Sequence, residues 1–168
     1  ILRAMLIEPV GESCVAEDSV YQLETNIDDC SGEILGHTME CLFAAGAKDV
    51  CYTPVFMKKN RPAYLLTVLC GEEDVSTMER IIFGETTSIG IRRIRVERSI
   101  LQRDVHTVNT SLGMATVKEC LVPSEQGDSL ERRCYPEYES VVAICKAIGR
   151  SYRDVYDAIV HELAQRDI

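Results

Sequence analysis

The chain has 168 residues, 46% hydrophobic and 27% charged, enough for one large domain or two small ones and a real core. That balance excludes a disordered tail, a collagen-like repeat and a coiled coil. The net charge of −9 argues against a general nucleic-acid binder, whose affinity rests on a basic face that neutralises phosphates. The charge is uneven, however: residues 58–103 carry nine bases against six acids, a local +3, and the remainder is −12.

Residues 1–19 form an N-terminal segment. From Val20 to Asp28 the residues alternate, with Tyr21, Leu23, Thr25 and Ile27 on one face, as in a half-buried strand. Ser31 to Gly46 has helical spacing, with Ile34, Leu35, Met39, Leu42 and Phe43 on one side and Gly46 as the stop. Asp49–Met57 and Ala63–Cys70 are β-rich runs joined by Lys58-Lys59-Asn60-Arg61-Pro62, a polar connection fit for a hairpin. Ser76-Thr77-Met78-Glu79 reads as a capping box opening a helix to about Gly84. Ile91 to Leu101 alternates again. The order strand, helix, strand, strand, helix, strand over residues 20–101 is the signature of a ferredoxin-like split βαβ unit. In residues 102–168 a hairpin over Val105–Val122 turns near Gly113, a polar linker covers Pro123–Arg133, and helices at Glu137–Ile148 and behind Ser151 close the chain. The fold class is thus α+β.

The longest apolar stretch, around Ala63 to Cys70, is far short of the roughly 18 residues of a membrane span, and no signal-peptide pattern opens the chain. A cytoplasmic protein without membrane or nucleic-acid partners is expected. None of the eight cysteines forms a Cys-x-x-Cys pair, and none adjoins His37, His106 or His161. Free thiols are therefore expected, with no spacing that announces zinc. The first residue is Ile, which suggests a piece of a longer protein.

Topology brings distant segments together. In a split βαβ unit with right-handed crossovers, Asn26–Cys30, Lys58–Pro62 and Glu85–Gly90 emerge at one edge of the sheet. Asp28, Asp29 and Glu85 offer the oxygen ligands that hard divalent cations prefer. Lys58, Lys59 and Arg61 supply three positive charges, and Arg adds a forked donor suited to phosphate oxygens. Thr86, Thr87 and Ser88 add hydroxyls before Gly90. Carboxylates, cations and hydroxyls on one edge suit a metal-bound nucleotide polyphosphate. Plainer readings stand beside this one: Asp29 as a turn or helix cap, the basic turn as a solvated hairpin tip, Glu85–Ser88 as a helix exit, and the Arg92, Arg93, Arg95, Arg98 series as a charged edge that discourages strand pairing.

Leu23-Glu24-Thr25-Asn26-Ile27-Asp28-Asp29, Tyr52-Thr53-Pro54 with Met57-Lys58-Lys59-Asn60-Arg61-Pro62, Glu85-Thr86-Thr87-Ser88-Ile89-Gly90-Ile91-Arg92 and Pro136-Glu137-Tyr138-Glu139 resemble, in this order, the C-terminal region of the LarC family. The resemblance covers nearly the whole chain. It implies a CTP-dependent nickel insertase, a metal-chelatase-type lyase that inserts nickel, its substrate metal, into pyridinium-3,5-bisthiocarboxylic acid mononucleotide to form the nickel-pincer cofactor. It further implies CTP with Mg or Mn, the cofactor precursor as partner, a missing N-terminal domain, and a homo-oligomer. Carried over by motif, Asp28, Asp29 and Glu85 are expected at the divalent metal. Lys58, Lys59, Arg61, Thr86, Thr87 and Arg92 are expected at the nucleotide, and the catalytic residues stay unassigned. Two departures stand out: Cys30-Ser31-Gly32-Glu33 lacks the family's proline, and Ser140 replaces the acid that ends the family's Pro-Glu-Tyr-Glu-Asp motif. The competing expectation is a non-catalytic oligomerisation or small-molecule regulatory module, for which this fold is also common.

Overall fold

A computed structural model of the chain describes residues 15–123 and 130–165. It divides into two compact units, one formed by Glu17–Ser99 and the other containing Ile100 onward. Most of the N-terminal segment and residues 124–129 of the expected linker lie outside the described residues.

The first unit opens with β1 (Val15–Ile27), which begins five residues before the alternation becomes legible. The alternation then holds, with Leu23, Thr25 and Ile27 buried. Helix α1 (Gly32–Ala44) starts where Ser31 Oγ accepts the Ile34 N–H at 3.3 Å, a hydroxyl cap on its first turn. It stops at Gly46, whose φ of 98° permits two reversal bonds, Ala47 N–H to Leu42 O at 3.0 Å and Gly46 N–H to Phe43 O at 3.1 Å. Strands β2 (Asp49–Met57) and β3 (Arg61–Cys70) flank a tight turn at Lys58–Asn60.

Helix α2 (Val75–Glu85) corrects the sequence reading. A 3₁₀ turn at Glu72–Asp74 leads into it, so Asp74 is the N-cap and no side chain caps the helix. Ser76 is already the second helical residue, and the Ser76–Glu79 capping box does not form. The helix runs one residue past Gly84 and ends where Thr86 Oγ1 donates to Ile82 O at 2.6 Å. Strand β4 (Arg92–Leu101) completes the unit.

The sheet order is β2-β3-β1-β4. Strand β3 is antiparallel to β1, with Leu23 opposite Val68, and to β2, with Val50 opposite Val68. β1 and β2 therefore run the same way on either side of β3, as a ferredoxin-like βαββαβ unit requires. One face of the sheet packs on the two helices through Leu23, Ile27, Leu66, Val68, Leu35, Leu42, Met78 and Ile82. Each such side chain contributes on the order of 1.5–3 kcal/mol by leaving water. Thr38 is fully buried on α1, and its hydroxyl donates to Ile34 O at 2.8 Å, which satisfies it within the helix.

In the second unit, β5 (Arg103–Thr110), β6 (Gly113–Pro123) and β7 (Leu130–Pro136) form an antiparallel sheet in that order. The expected hairpin is β5–β6, turning at Gly113 with φ 124°. The third strand was not expected: Leu130–Arg133, assigned to a linker, pair with β6 from Pro123 to Cys120. Most of β7 is exposed, so its sequence lacks the apolar alternation that reveals a half-buried strand. Helices α3 (Tyr138–Ile148) and α4 (Tyr152–Ala164) close a core of Ala115, Val117, Val141, Ile144, Val155, Ile159 and Leu163. Ser151 caps α4 by accepting the Asp154 N–H at 3.2 Å. Among the described residues, no helix is long and apolar enough to cross a membrane.

Candidate functional site

The three polar segments meet at the end of the sheet where β1 stops, the β2–β3 turn projects and β4 begins. Arg61 Nη1 donates to Asp28 Oδ2 at 3.1 Å across the β1–β3 pair. Thr87 donates its hydroxyl to Asp29 Oδ1 in a short hydrogen bond, and its N–H reaches Cys30 Sγ at 3.4 Å. Cys30 thus ties the 86–90 loop to the end of β1. Below it, Thr25 Oγ1 donates to Gly90 O at 2.9 Å and lies 2.5 Å from Ser88 Oγ.

Ser88 was expected among the hydroxyls before Gly90; Thr25, its partner, is a part of the site that residue chemistry alone passed over. Thr25 lies on the buried face of β1, where its hydroxyl looked like one more half-apolar strand residue. The same holds for Glu24 and Asn26, whose side chains accept from Arg92 at 3.2 and 2.8 Å. Their alternation with buried positions was visible; their partner on β4 was not.

The expected site residues are not all gathered in one set. Asp28, Asp29, Arg61 and Thr87 form a connected group. Lys58 and Lys59 are exposed on the adjoining turn and have no ion-pair partner among the described residues. Lys59 sits at φ 63° and Asn60 at φ 56°, a region that costs a lysine more than it costs a glycine or asparagine. Thr86 commits its hydroxyl proton to Ile82 O and accepts the Ser88 N–H at 3.1 Å, so it shapes the loop. Arg92 is held by Glu24 and Asn26. Glu85 lies beside α1, with Oε2 3.7 Å from His37 Nε2.

The donor set at Asp28 and Asp29 fits a hard divalent ion. Each carboxylate spends one oxygen on Arg61 or Thr87 and keeps the other without a partner among the described residues. Two open clefts, one lined by Glu17, Asp18, Ser19, Glu97, Arg98 and Ser99 and one by Tyr21, Glu72, Val75, Ser76, Glu79 and Arg93, include none of the three loops. Their arginines are already paired, Arg98 with Asp18 and Arg93 with Glu79, which leaves Glu17 and Glu97 in the first cleft and Glu72 in the second as surplus negative charge.

Burial perturbs one phenol of the first unit. The Tyr52 hydroxyl donates to Leu35 O at 2.8 Å, and burial pushes its pKa up to about 12. In the second unit, Pro136-Glu137-Tyr138-Glu139 joins β7 to α3. Glu137 pairs with Lys118 at 2.8 Å, and Ser140 Oγ accepts the Thr116 N–H at 2.8 Å. The hydroxyl at the departing position thus serves the β6–α3 junction.

A sequence profile described as nickel insertion protein matches residues 1–156. A pyridinium-3,5-bisthiocarboxylic acid mononucleotide nickel insertion protein of Alkaliphilus metalliredigens is 43% identical over 171 residues, covering 95% of this chain and 39% of its own length. The protein of the same name from Acetivibrio thermocellus is 44% identical over 143 residues, covering 85% and 34% respectively. The chain therefore spans well under half the length of these relatives. Among solved structures, the apo C-terminal domain of a cyclometallase involved in the synthesis of the NPN cofactor of lactate racemase matches with a TM-score of 0.78 and 36% identity. That match covers 88% of this chain and 99% of that domain. A Methanopyrus kandleri protein with a TM-score of 0.60 and 24% identity shares the fold. With a profile match over 1–156 and relatives above 40% identity, this chain belongs to the nickel insertion protein family.

Proposed function

We propose that this chain is the nucleotide-binding C-terminal portion of a CTP-dependent nickel insertase, acting on pyridinium-3,5-bisthiocarboxylic acid mononucleotide to form the nickel-pincer cofactor. The observation that carries the reading is the meeting of three loops, distant in sequence, at one sheet end. There a carboxylate pair, three cations and a hydroxyl-rich loop lie together in a chain of this family. Lys58, Lys59 and Arg61 hold the triphosphate. Asp28 and Asp29 hold the Mg or Mn ion through their unpaired oxygens, and the ion supplies charge neutralisation between phosphates. Thr87 orients Asp29. Thr86, Arg92 and Glu85 act less directly, through the loop and strand that carry the binding groups. The N-terminal domain of the longer protein and the precursor complete the reaction. Self-association belongs to the same proposal, supported by β4 at the sheet edge with Ile94 exposed.

Calorimetry of the purified chain with CTP, ATP, GTP and UTP, each with Mg or Mn, tests the reading. CTP binding that weakens at least about tenfold, roughly 1.4 kcal/mol, in Lys59→Ala and in Asp28→Ala is the expected result. No nucleotide binding by the folded chain, or binding indifferent to both substitutions, refutes it.

A further inference from the structure

His37 and Cys41, which the nucleotide reading does not use, form a cluster with Glu85, which it uses only indirectly. His37 and Cys41 lie four residues apart on α1 and so share one face of the helix, and Glu85 ends α2 alongside. The His37 Nε2 to Cys41 Sγ distance is 3.4 Å and the His37 Nε2 to Glu85 Oε2 distance is 3.7 Å. All three donor atoms lie within 4.8 Å of one another.

We propose that these three side chains form a site for a borderline divalent first-row metal ion, of which nickel is the one the family handles. The geometry can be tested against ordinary bond lengths. A tetrahedral ion with sulfur at about 2.3 Å, nitrogen at about 2.05 Å and oxygen at about 2.1 Å holds sulfur and nitrogen roughly 3.6 Å apart and nitrogen and oxygen roughly 3.4 Å apart. The two separations from His37 differ from these by a few tenths of an ångström, and the sulfur-to-oxygen separation, ideally roughly 3.6 Å, lies within 4.8 Å, so the Cys41 and Glu85 side chains close on the ion by rotating on two helices that already pack together.

The donor types decide which ion fits. A thiolate and an imidazole favour nickel, cobalt or zinc, whereas magnesium and manganese take oxygen sets such as Asp28 and Asp29. The two sites therefore sort ions by chemistry. Three protein ligands leave a coordination position open, and the His37 and Glu85 side chains are 63% and 43% exposed. An ion held there is accessible and exchangeable, which suits cargo rather than a structural metal. The choice of nickel among these ions rests on the family; the site itself does not rest on the nucleotide reading.

The test is titration of the 168-residue chain with Co²⁺ and separately with Ni²⁺, in buffer containing excess Mg²⁺, followed by absorption spectroscopy. One equivalent bound with a thiolate-to-metal charge-transfer band is expected. The band should be lost in Cys41→Ser, and affinity should fall at least about tenfold in His37→Gln, with circular dichroism confirming that both variants fold. No uptake by the parent chain, or a band unchanged in folded Cys41→Ser, overturns the proposal. CTP titrations on the same samples keep the two readings apart. Metal uptake without CTP binding refutes the nucleotide reading alone, and CTP binding without metal uptake refutes the metal site alone.

Discussion

Thr25 is only 2% exposed, and its hydroxyl joins the strand that builds the fold to the loop that completes the site. Thr25→Val keeps the shape and removes the hydroxyl. The variant loses the bond to Gly90 O at 2.9 Å and the contact with Ser88 Oγ at 2.5 Å that the parent chain makes. Ser88 Oγ is 3.2 Å from Gly90 O and can turn its own proton there, so the carbonyl keeps a partner and one hydrogen bond is lost net. A buried hydrogen bond lost with partial rescue costs about 1–2 kcal/mol. For a chain of this size unfolding cooperatively, that corresponds to a Tm lower by roughly 2–8 °C. Thermal and urea denaturation of Thr25→Val, Ser88→Ala and the double variant measure it. Because the two hydroxyls touch, the double variant should depart from additivity by about 0.5–1.5 kcal/mol. A Thr25→Val protein as stable as its parent, or strict additivity, would show that this hydroxyl pair does not pin the loop. CTP affinity should fall in Thr25→Val even though Thr25 touches no nucleotide in the proposed arrangement.

Other substitutions separate stability from binding. Lys59→Gly relieves the left-handed backbone at φ 63° and should raise stability by up to about 1 kcal/mol, while triphosphate affinity drops; a destabilised variant in urea melts counts against the strain. Asp28→Asn leaves stability within about 1 kcal/mol, because its pair with Arg61 is partly exposed, yet removes most Mg-dependent CTP binding by calorimetry. Leu42→Ala, at a fully buried position, should cost about 2–5 kcal/mol in denaturant unfolding. The pH profile of stability has two flanks. Asp18 and Glu119 titrate below the usual carboxylate range because hydrogen bonds from Arg98 and Arg132 favour their charged forms. Their contribution is therefore present at neutral pH and is lost as pH falls from the usual carboxylate range down through their lowered values. Tyr52 is raised from 10.0 to about 12 by burial, so its contribution holds below about pH 10 and is lost as pH rises towards 12. Spectrophotometric titration of tyrosine ionisation should show the Tyr52 phenol ionising late and coupled to unfolding, a step that Tyr52→Phe should remove.

Much of this protein was legible from its residues. Alternation on β1 identified Leu23 and Ile27 as interior, Ser31 and Ser151 marked helix starts, and Gly46 marked a stop, because each of these depends on backbone bonds within a few residues. The order of elements specified the ferredoxin-like unit, and with it the meeting of the Asp28, Arg61 and Thr87 loops, since handed crossovers leave few alternatives. Four ordered motifs carried the family. Tertiary structure decided the rest, and it did so wherever the partner lies on another element. Ser76–Glu79 failed as a capping box because the preceding 3₁₀ turn had already started the helix. β7 was hidden because its pairing with β6 leaves it largely exposed. Glu85, expected with the aspartates, stands beside His37 and Cys41 because α1 and α2 pack against the same sheet face. Backbone periodicity is written locally in the side chains; which polar groups become neighbours is set by long-range packing, and that is where the two candidate metal chemistries separate.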